Sequence, residues 1–223
     1  MSVLVICEHD NVAVRSVTLN TVNAALELSE DVDLLVAGNG CSSVAEECAS
    51  ISGVRRVFLA EDASYEHDLP ENLALLVVHQ AEGYSYVLAA ASTFGKSLLP
   101  RVAALLDVQQ ISDISEIQSA DVFVRPIYAG NAMATVKSTD RIKVITVRTT
   151  AFDAVSNQGG SGVVDAIDPI ARDKVSEFLG QDITPSERPE LTSAGIVISG
   201  GRGMQSGENF KLINAIADKL NAA

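Results

Sequence analysis

Four residues near the end of this 223-residue chain have the make-up of an anion-binding turn: Gly200, Gly201, Arg202 and Gly203. Glycine lets backbone N–H groups approach a ligand closely. Arginine adds a fixed charge on a planar fork, suited to a phosphate or to a ring that gains negative charge on reduction. The alternative is a solvated turn arginine, and the segment by itself does not choose between the two. The turn needs elements to hold it. Ala194, Ile196, Val197 and Ile198 read as a short buried strand before it. After it, Phe210, Ile213, Ile216, Ala217 and Leu220 fall on one face of a helix. Strand, glycine-rich turn and helix is a layout in which backbone N–H groups and a helix N-terminus meet an anion. A lone strand and helix cannot enclose a ligand, so such a site is expected to need further walls.

Other candidates are weaker. Cys7, Glu8, His9 and Asp10 follow the first strand pattern, where doubly wound sheets place ligands. Adjacent residues on an extended chain point to opposite sides, so these four are expected to form a polar loop and not a metal site. His67 and His79 stand alone in polar surroundings. Ala91–Ser97, ASTFGKS, resembles the end of a P-loop, but Ala90 stands where that motif requires glycine. Gly95 there is expected to open a helix at close approach, with Lys96 in solvent. G-x-S-x-G is missing. The spaced carboxylates Asp113 and Glu116, and Asp165 and Asp168, are expected to lie in solvent. No catalytic residue is assigned.

The elements that position these residues follow from the hydrophobic pattern. Strands are expected at Ser2–Cys7, Val32–Ala37, Arg56–Leu59 and Tyr84–Ala91, alternating with helices at Ser16–Leu28, Ser42–Ser50 (Ser42 as cap), Glu71–Glu82 and Gly95–Leu106. That rhythm specifies an α/β fold with a doubly wound, mostly parallel sheet flanked by helices. After Asp107 the pattern turns to period two, at Ile111–Ile117 and Val122–Tyr128. Ala132–Lys137 and Ile142–Arg148 read as a hairpin closed by Ser138, Thr139 and Asp140. These runs form an antiparallel β appendage or the far edge of the main sheet. Gly159–Gly162 is a loop, and Asp173–Leu179 a marginal helical or extended segment. The polar stretch Gln181–Glu190, with Pro185 and Pro189, is the best linker. The expected organisation is an α/β domain over 1–180, a linker over 181–191 and the first strand and helix of a second domain over 192–223.

Formal net charge is −13, against nucleic acid or anionic lipid as a partner. Cys7, Cys41 and Cys48 form no C-x-x-C pair and are expected as reduced, buried thiols. No apolar run reaches the length of a membrane span. The start, MSVLVICEHD, enters a strand pattern directly, which makes a bacterial cytoplasm the expected setting, or a mitochondrial matrix if a presequence was removed.

Several segments resemble the electron transfer flavoprotein alpha subunit: VLVICEHDN at the start, Leu98–Ile117, Ile127–Val136 (IYAGNAMATV), Val144–Asp153 and, most specifically, Ser186–Asn209 (SERPELTSAGIVISGGRGMQSGEN). The resemblance runs in order from end to end. It implies pairing with a beta subunit in a heterodimer, and an N-terminal domain that serves as the pairing scaffold. It implies FAD held mostly by a C-terminal domain beginning near SGGRG. AMP, where present, belongs to the beta subunit. Electrons would pass from acyl-CoA dehydrogenases and related enzymes, as in fatty acid β-oxidation, to a membrane quinone oxidoreductase. The protein would then be an electron carrier and not an enzyme. Arg202 matches the family's FAD-contacting arginine, and Gly200, Gly201 and Gly203 supply the turn that places it. Relative to the family the FAD domain is incomplete here, so tightly bound FAD is not expected of this chain alone. A stand-alone adenine-nucleotide-binding or interaction module, using the strand ends near His9 and Ser92, is the alternative.

Overall fold

The structure is a computed structural model, and it describes residues 1–170, 175–182, 188, 189, 191 and 194–223. The described chain divides into two units, Met1–Phe178 and Leu179–Ala223.

In the first unit the elements run β1 (Ser2–Ile6), α1 (Ser16–Leu28), β2 (Asp31–Gly38), α2 (Ser42–Ala49), β3 (Val54–Glu61), α3 (Pro70–Gln80), β4 (Tyr86–Ala90) and α4 (Thr93–Leu105). There follow β5 (Gln110–Ile114), β6 (Glu116–Ser119), β7 (Val122–Ile127), β8 (Ala132–Lys137), β9 (Lys143–Val147) and β10 (Val163–Ala166). Seven strands form one sheet in the order β10-β3-β2-β1-β4-β9-β5, with every pairing parallel. β6, β7 and β8 form a separate antiparallel sheet. The fold is the α/β, doubly wound, mostly parallel sheet with an antiparallel appendage that the pattern specifies.

Alternation along each central strand feeds two cores. Val3 and Val5 of β1 pack on one face with Val22, Ala25 and Val44 of α1 and α2. Leu4 and Ile6 pack on the other with Leu73, Leu76 and Val102 of α3 and α4. A sheet covered on both faces needs apolar strands, which is why β1 reads as a continuous run and β2 as one interrupted at Asp33.

Several expectations need correction. Ala132–Lys137 and Ile142–Arg148 are not a hairpin. β8 pairs only with β7, while β9 lies in the main sheet between β4 and β5. The cause is burial: β9 is buried at Val144–Val147, whereas β8 alternates half-buried and exposed. Ser42 is the first residue of α2 and not its cap. Cys41 holds the cap position, and the Ser42 hydroxyl donates to Glu61 at 3.1 Å. β10, an edge strand parallel to β3, has no counterpart in the sequence-based assignment. In α1 the buried stripe is Thr18, Thr21, Val22, Ala24 and Ala25, with Val17 only half-buried. Of the segment 173–179, residues 173 and 174 lie outside the described residues, and 175–178 belong to no helix or strand. Most of the expected linker, 183–187 and 190, lies outside them as well.

In the second unit, α5 (Phe210–Leu220) forms as its 3.6-residue periodicity requires. It ends at Asn221 in the left-handed conformation (φ 48°), whose N–H bonds the Ala217 carbonyl. The strand expected at 194–198 is not formed. Among the described residues its backbone pairs only with Ala223, through Ile198 N to Ala223 O at 2.9 Å and Ala223 N to Ile196 O at 3.0 Å. Ile196 and Val197 are about half exposed, so no sheet face covers them among the described residues.

Candidate functional site

The glycine–arginine turn sits just before α5. Met204 N donates to Gly201 O at 3.0 Å and Gln205 N to Arg202 O at 3.2 Å, making a single helical turn over Arg202–Met204. Gly200 is closely packed: a Cβ there would lie 2.4 Å from Ile213 Cδ1 and 2.9 Å from Met204 Cγ, and those side chains would have to shift. Gly201 and Gly203 differ. A Cβ on either would meet nothing within 4 Å, so both flanks of Arg202 are open. The Arg202 side chain is exposed, with no hydrogen bond or ion pair among the described residues. An unengaged guanidinium between two open glycines suits a large anionic ligand whose edge lies against the backbone. Beside the turn is a shallow groove of about 530 Å³, lined by Gly203, Gln205, Glu208, Asn209 and Lys211 among others.

Within the same unit Arg188 holds α5. Its guanidinium reaches Asp218 Oδ1 at 2.6 Å and Asn214 Oδ1 at 3.0 Å, two acceptors one helical turn apart. This contact joins residues 26 and 30 positions apart and had no local signal in the sequence.

The first unit holds the other candidates. The topological switch point lies between the carboxyl ends of β1 and β4, because β2 and β3 continue from one side of β1 and β4 and β9 from the other. Here Ser92 caps α4, its Oγ accepting from Gly95 N at 3.3 Å and donating to Glu8 Oε2 at 2.5 Å. Burial pushes the Glu8 carboxyl up, while the Ser92 hydrogen bond and the Arg15 charge pull it down. Asp68 is pushed up to about 7 by burial and by the charge of Glu8. Gly95 does mark a close approach: a Cβ would lie 2.0 Å from the Ala90 carbonyl oxygen.

Cys7, Glu8, His9 and Asp10 diverge. The Cys7 thiol turns into the core, 3.4 Å from Cys48 Sγ and 4.0 Å from Thr18 Oγ1. Glu8 faces Ser92, and the Asp10 carboxylate accepts from Val12 and Ala13 N–H groups. His9 is buried, and its Nδ1 accepts from Asn11 N at 3.0 Å. Burial lowers its pKa. All three cysteines are free and buried. Its hydrogen bond with Cys48, and then burial, hold the Cys7 thiol well above the usual range. Burial, with Glu61 next, pushes Cys41 up to about 11. Among the described residues no three His, Cys, Asp or Glu side chains gather to hold a metal.

Two surface expectations change. Asp113 is ion-paired with Arg148 at 2.5 Å and Asp165 with Arg56 at 3.2 Å, so neither is simply solvated. His67 is not alone: its ring stacks on Phe178 with centroids 3.6 Å apart, beside a cavity of about 420 Å³ at the carboxyl ends of β3 and β10.

Residues 3–171 match the electron transfer flavoprotein domain, and residues 190–223, which include the Arg202 turn, match the electron transfer flavoprotein FAD-binding domain. Over its whole length the chain is 55% identical to the electron transfer flavoprotein subunit alpha of Pseudomonas aeruginosa, covering 72% of that protein. The chain belongs to the electron transfer flavoprotein alpha-subunit family. It is also 48% identical to the alpha subunit of Paracoccus denitrificans over the whole chain and 72% of that protein. Against the probable mitochondrial alpha subunit of Caenorhabditis elegans the identity is 46%, over 99% of this chain and 67% of the relative.

The family implies FAD, and the residues present fit it on one side. The donor set is cationic, the flanking glycines leave the backbone open, and α5 begins within the same segment. What the sequence did not reveal is how the turn is held. Asn209 stands just before α5 with helical backbone angles and no capping hydrogen bond; its side chain donates instead to Met204 O at 2.7 Å, and its residue type at a helix start was its only signal. No helix of the described residues is long and apolar enough to cross a membrane.

Proposed function

We propose that this chain is the alpha subunit of a heterodimeric electron transfer flavoprotein. Paired with a beta subunit, it carries electrons through FAD from acyl-CoA dehydrogenases and related enzymes to a membrane quinone oxidoreductase. Residues 1–180 serve as the subunit-pairing scaffold, 181–191 as linker, and 192–223 as part of the FAD-binding domain. AMP, where present, is held by the beta subunit. The higher identity to the Pseudomonas protein than to the nematode mitochondrial one favours a bacterial cytoplasm.

The observation that carries the reading is Arg202: an exposed cation on an open-sided Gly-Gly-Arg-Gly turn, inside the segment that matches a FAD-binding domain. The flavin itself supplies the redox chemistry when bound. The chain contributes a positive charge at Arg202 and backbone access at Gly201 and Gly203, with Gly200 packed at the base of the turn. A fixed cation beside a flavin favours whichever state carries more negative charge.

Arg202→Ala in the complete heterodimer tests this. Weaker FAD retention and a lower flavin midpoint potential are expected. Unchanged affinity together with unchanged midpoint would refute the reading.

A further inference from the structure

The turn that carries Arg202 is followed by a strained reversal. Gln205 has φ 64° and ψ −54°, and across it Ser206 N donates to Met204 O at 2.7 Å. That is a three-residue γ-turn with positive φ at its centre, a rare and strained form that a non-glycine residue adopts only when its surroundings enforce it. The Met204 carbonyl is the hub. It accepts a second hydrogen bond, from Asn209 Nδ2 at 2.7 Å, so both of its lone pairs are used. Asn209 N in turn donates to Ser206 O at 3.2 Å. One residue at the head of α5 thus grips the γ-turn at two points.

We propose that Asn209 is the positioning residue for Arg202, clasping the strained Met204–Gln205–Ser206 reversal so that the arginine turn keeps one orientation toward the flavin. The proposal rests on the flavin reading of Arg202 given above. Arg202 has no side-chain partner among the described residues, so its direction is set by its backbone. That backbone is fixed from one side by Gly200, packed on Ile213 and Met204, and from the other by the Met204 carbonyl. Met204 is both the last residue of the arginine turn and the acceptor of the clasp. Gly201 and Gly203, open on both sides, supply no restraint of their own. Without the Asn209 amide the non-glycine Gln205 relaxes to negative φ, and the preceding turn rotates with it.

The test uses the complete heterodimer and four variants: Asn209→Asp, Gln205→Gly, the two combined, and Arg202→Ala. Asn209→Asp keeps the shape and loses the donor. It should weaken FAD binding about tenfold and shift the flavin midpoint in the same direction as Arg202→Ala. Glycine adopts positive φ freely, so the clasp should matter little in the Gln205→Gly background, and the double variant should recover most of the affinity. Hydrogen exchange of the Ser206 amide reads the clasp without flavin: it should rise about tenfold in Asn209→Asp and stay unchanged in Arg202→Ala. If Arg202→Ala weakens FAD while Asn209→Asp does not, or if the Asn209→Asp loss persists in the Gln205→Gly background, the proposal is overturned. If Arg202→Ala leaves FAD untouched, the flavin reading fails instead. Unchanged Ser206 exchange in Asn209→Asp then overturns the clasp as well.

Discussion

The Ser92 hydroxyl donates to the Glu8 carboxylate at 2.5 Å, tying the loop after β1 to the N-cap of α4 at the switch point of the sheet. A helix N-terminus in that place is where doubly wound domains set a phosphate. Here the protein's own carboxylate holds it, with Asp68 also contributing negative charge nearby. A nucleotide phosphate would have to displace Glu8 and sit beside two acids, Glu8 and Asp68, with Arg15 the counter-charge to Glu8. Titration of the chain with AMP or ATP at millimolar concentration should therefore give no saturable heat in a calorimeter. A saturable isotherm would favour the stand-alone nucleotide-binding module instead.

Asp68 gives a pH prediction. Its carboxyl stands at about 7 in the folded chain against 3.8 as the ordinary value. A raised acid contributes stability that is complete below about pH 4 and is lost as pH rises through 7, because the folded state must then ionise a buried group. Buried His9 has the opposite slope, since its lowered pKa costs stability as pH falls below 6.5. The difference between variant and parent isolates Asp68. Asp68→Asn keeps the left-handed φ of 51°, which asparagine tolerates. It should raise stability by about 2 kcal/mol at pH 8 and by less than half as much at pH 5, where the penalty is only partly developed. Urea unfolding at the two pH values checks this.

Asp33 lies within β2 at 1% exposure. It accepts from Arg55 Nε at 2.9 Å and NH2 at 2.6 Å, and from Tyr84 Oη at 2.6 Å. The two partners should respond unequally. Arg55→Met leaves a buried carboxylate with one neutral donor and should cost about 3 kcal/mol. Asp33→Ala leaves an arginine that is half exposed and still paired with Asp31, so about 1.5 kcal/mol is expected. Equal losses in denaturant midpoints would contradict this asymmetry.

Gly95→Ala opposes two effects. Alanine is the better helix former by about 1 kcal/mol. However, its Cβ would meet the Ala90 carbonyl oxygen at 2.0 Å and Ala89 Cβ at 3.2 Å, and backbone cannot move aside cheaply. Overpacking should win, with a net loss of about 2 kcal/mol. A thermal midpoint at or above the parent's would show that α4 slides freely on β4.

Local pattern carried much of the architecture. α1 spans Ser16–Leu28 as its periodicity requires, and β1, β2 and β4 follow from apolar runs, that of β2 interrupted at Asp33. Non-local facts were not legible. Lys143–Val147 looked like a hairpin partner of β8 because the polar tripeptide Ser138–Asp140 is a local signal, whereas the slot between β4 and β5 is not. Val163–Ala166 is too short to announce a strand until β3 offers it an edge. In the candidate site, Arg202 and its glycines stood out by type and spacing. The γ-turn at Gln205 did not, since nothing in a glutamine foretells positive φ.

The placement of β9 also constrains how the sheet can be made on a ribosome. β4 is complete at Ala90, but its outer neighbour is complete only at Val147, after β5 to β8 have emerged. At roughly 5–20 residues per second the edge of β4 stays unpaired for several seconds of synthesis. β5 cannot close that gap without shutting β9 out. The β4 edge therefore stays open until β9 emerges, with β5 to β8 lying between the two partners in sequence.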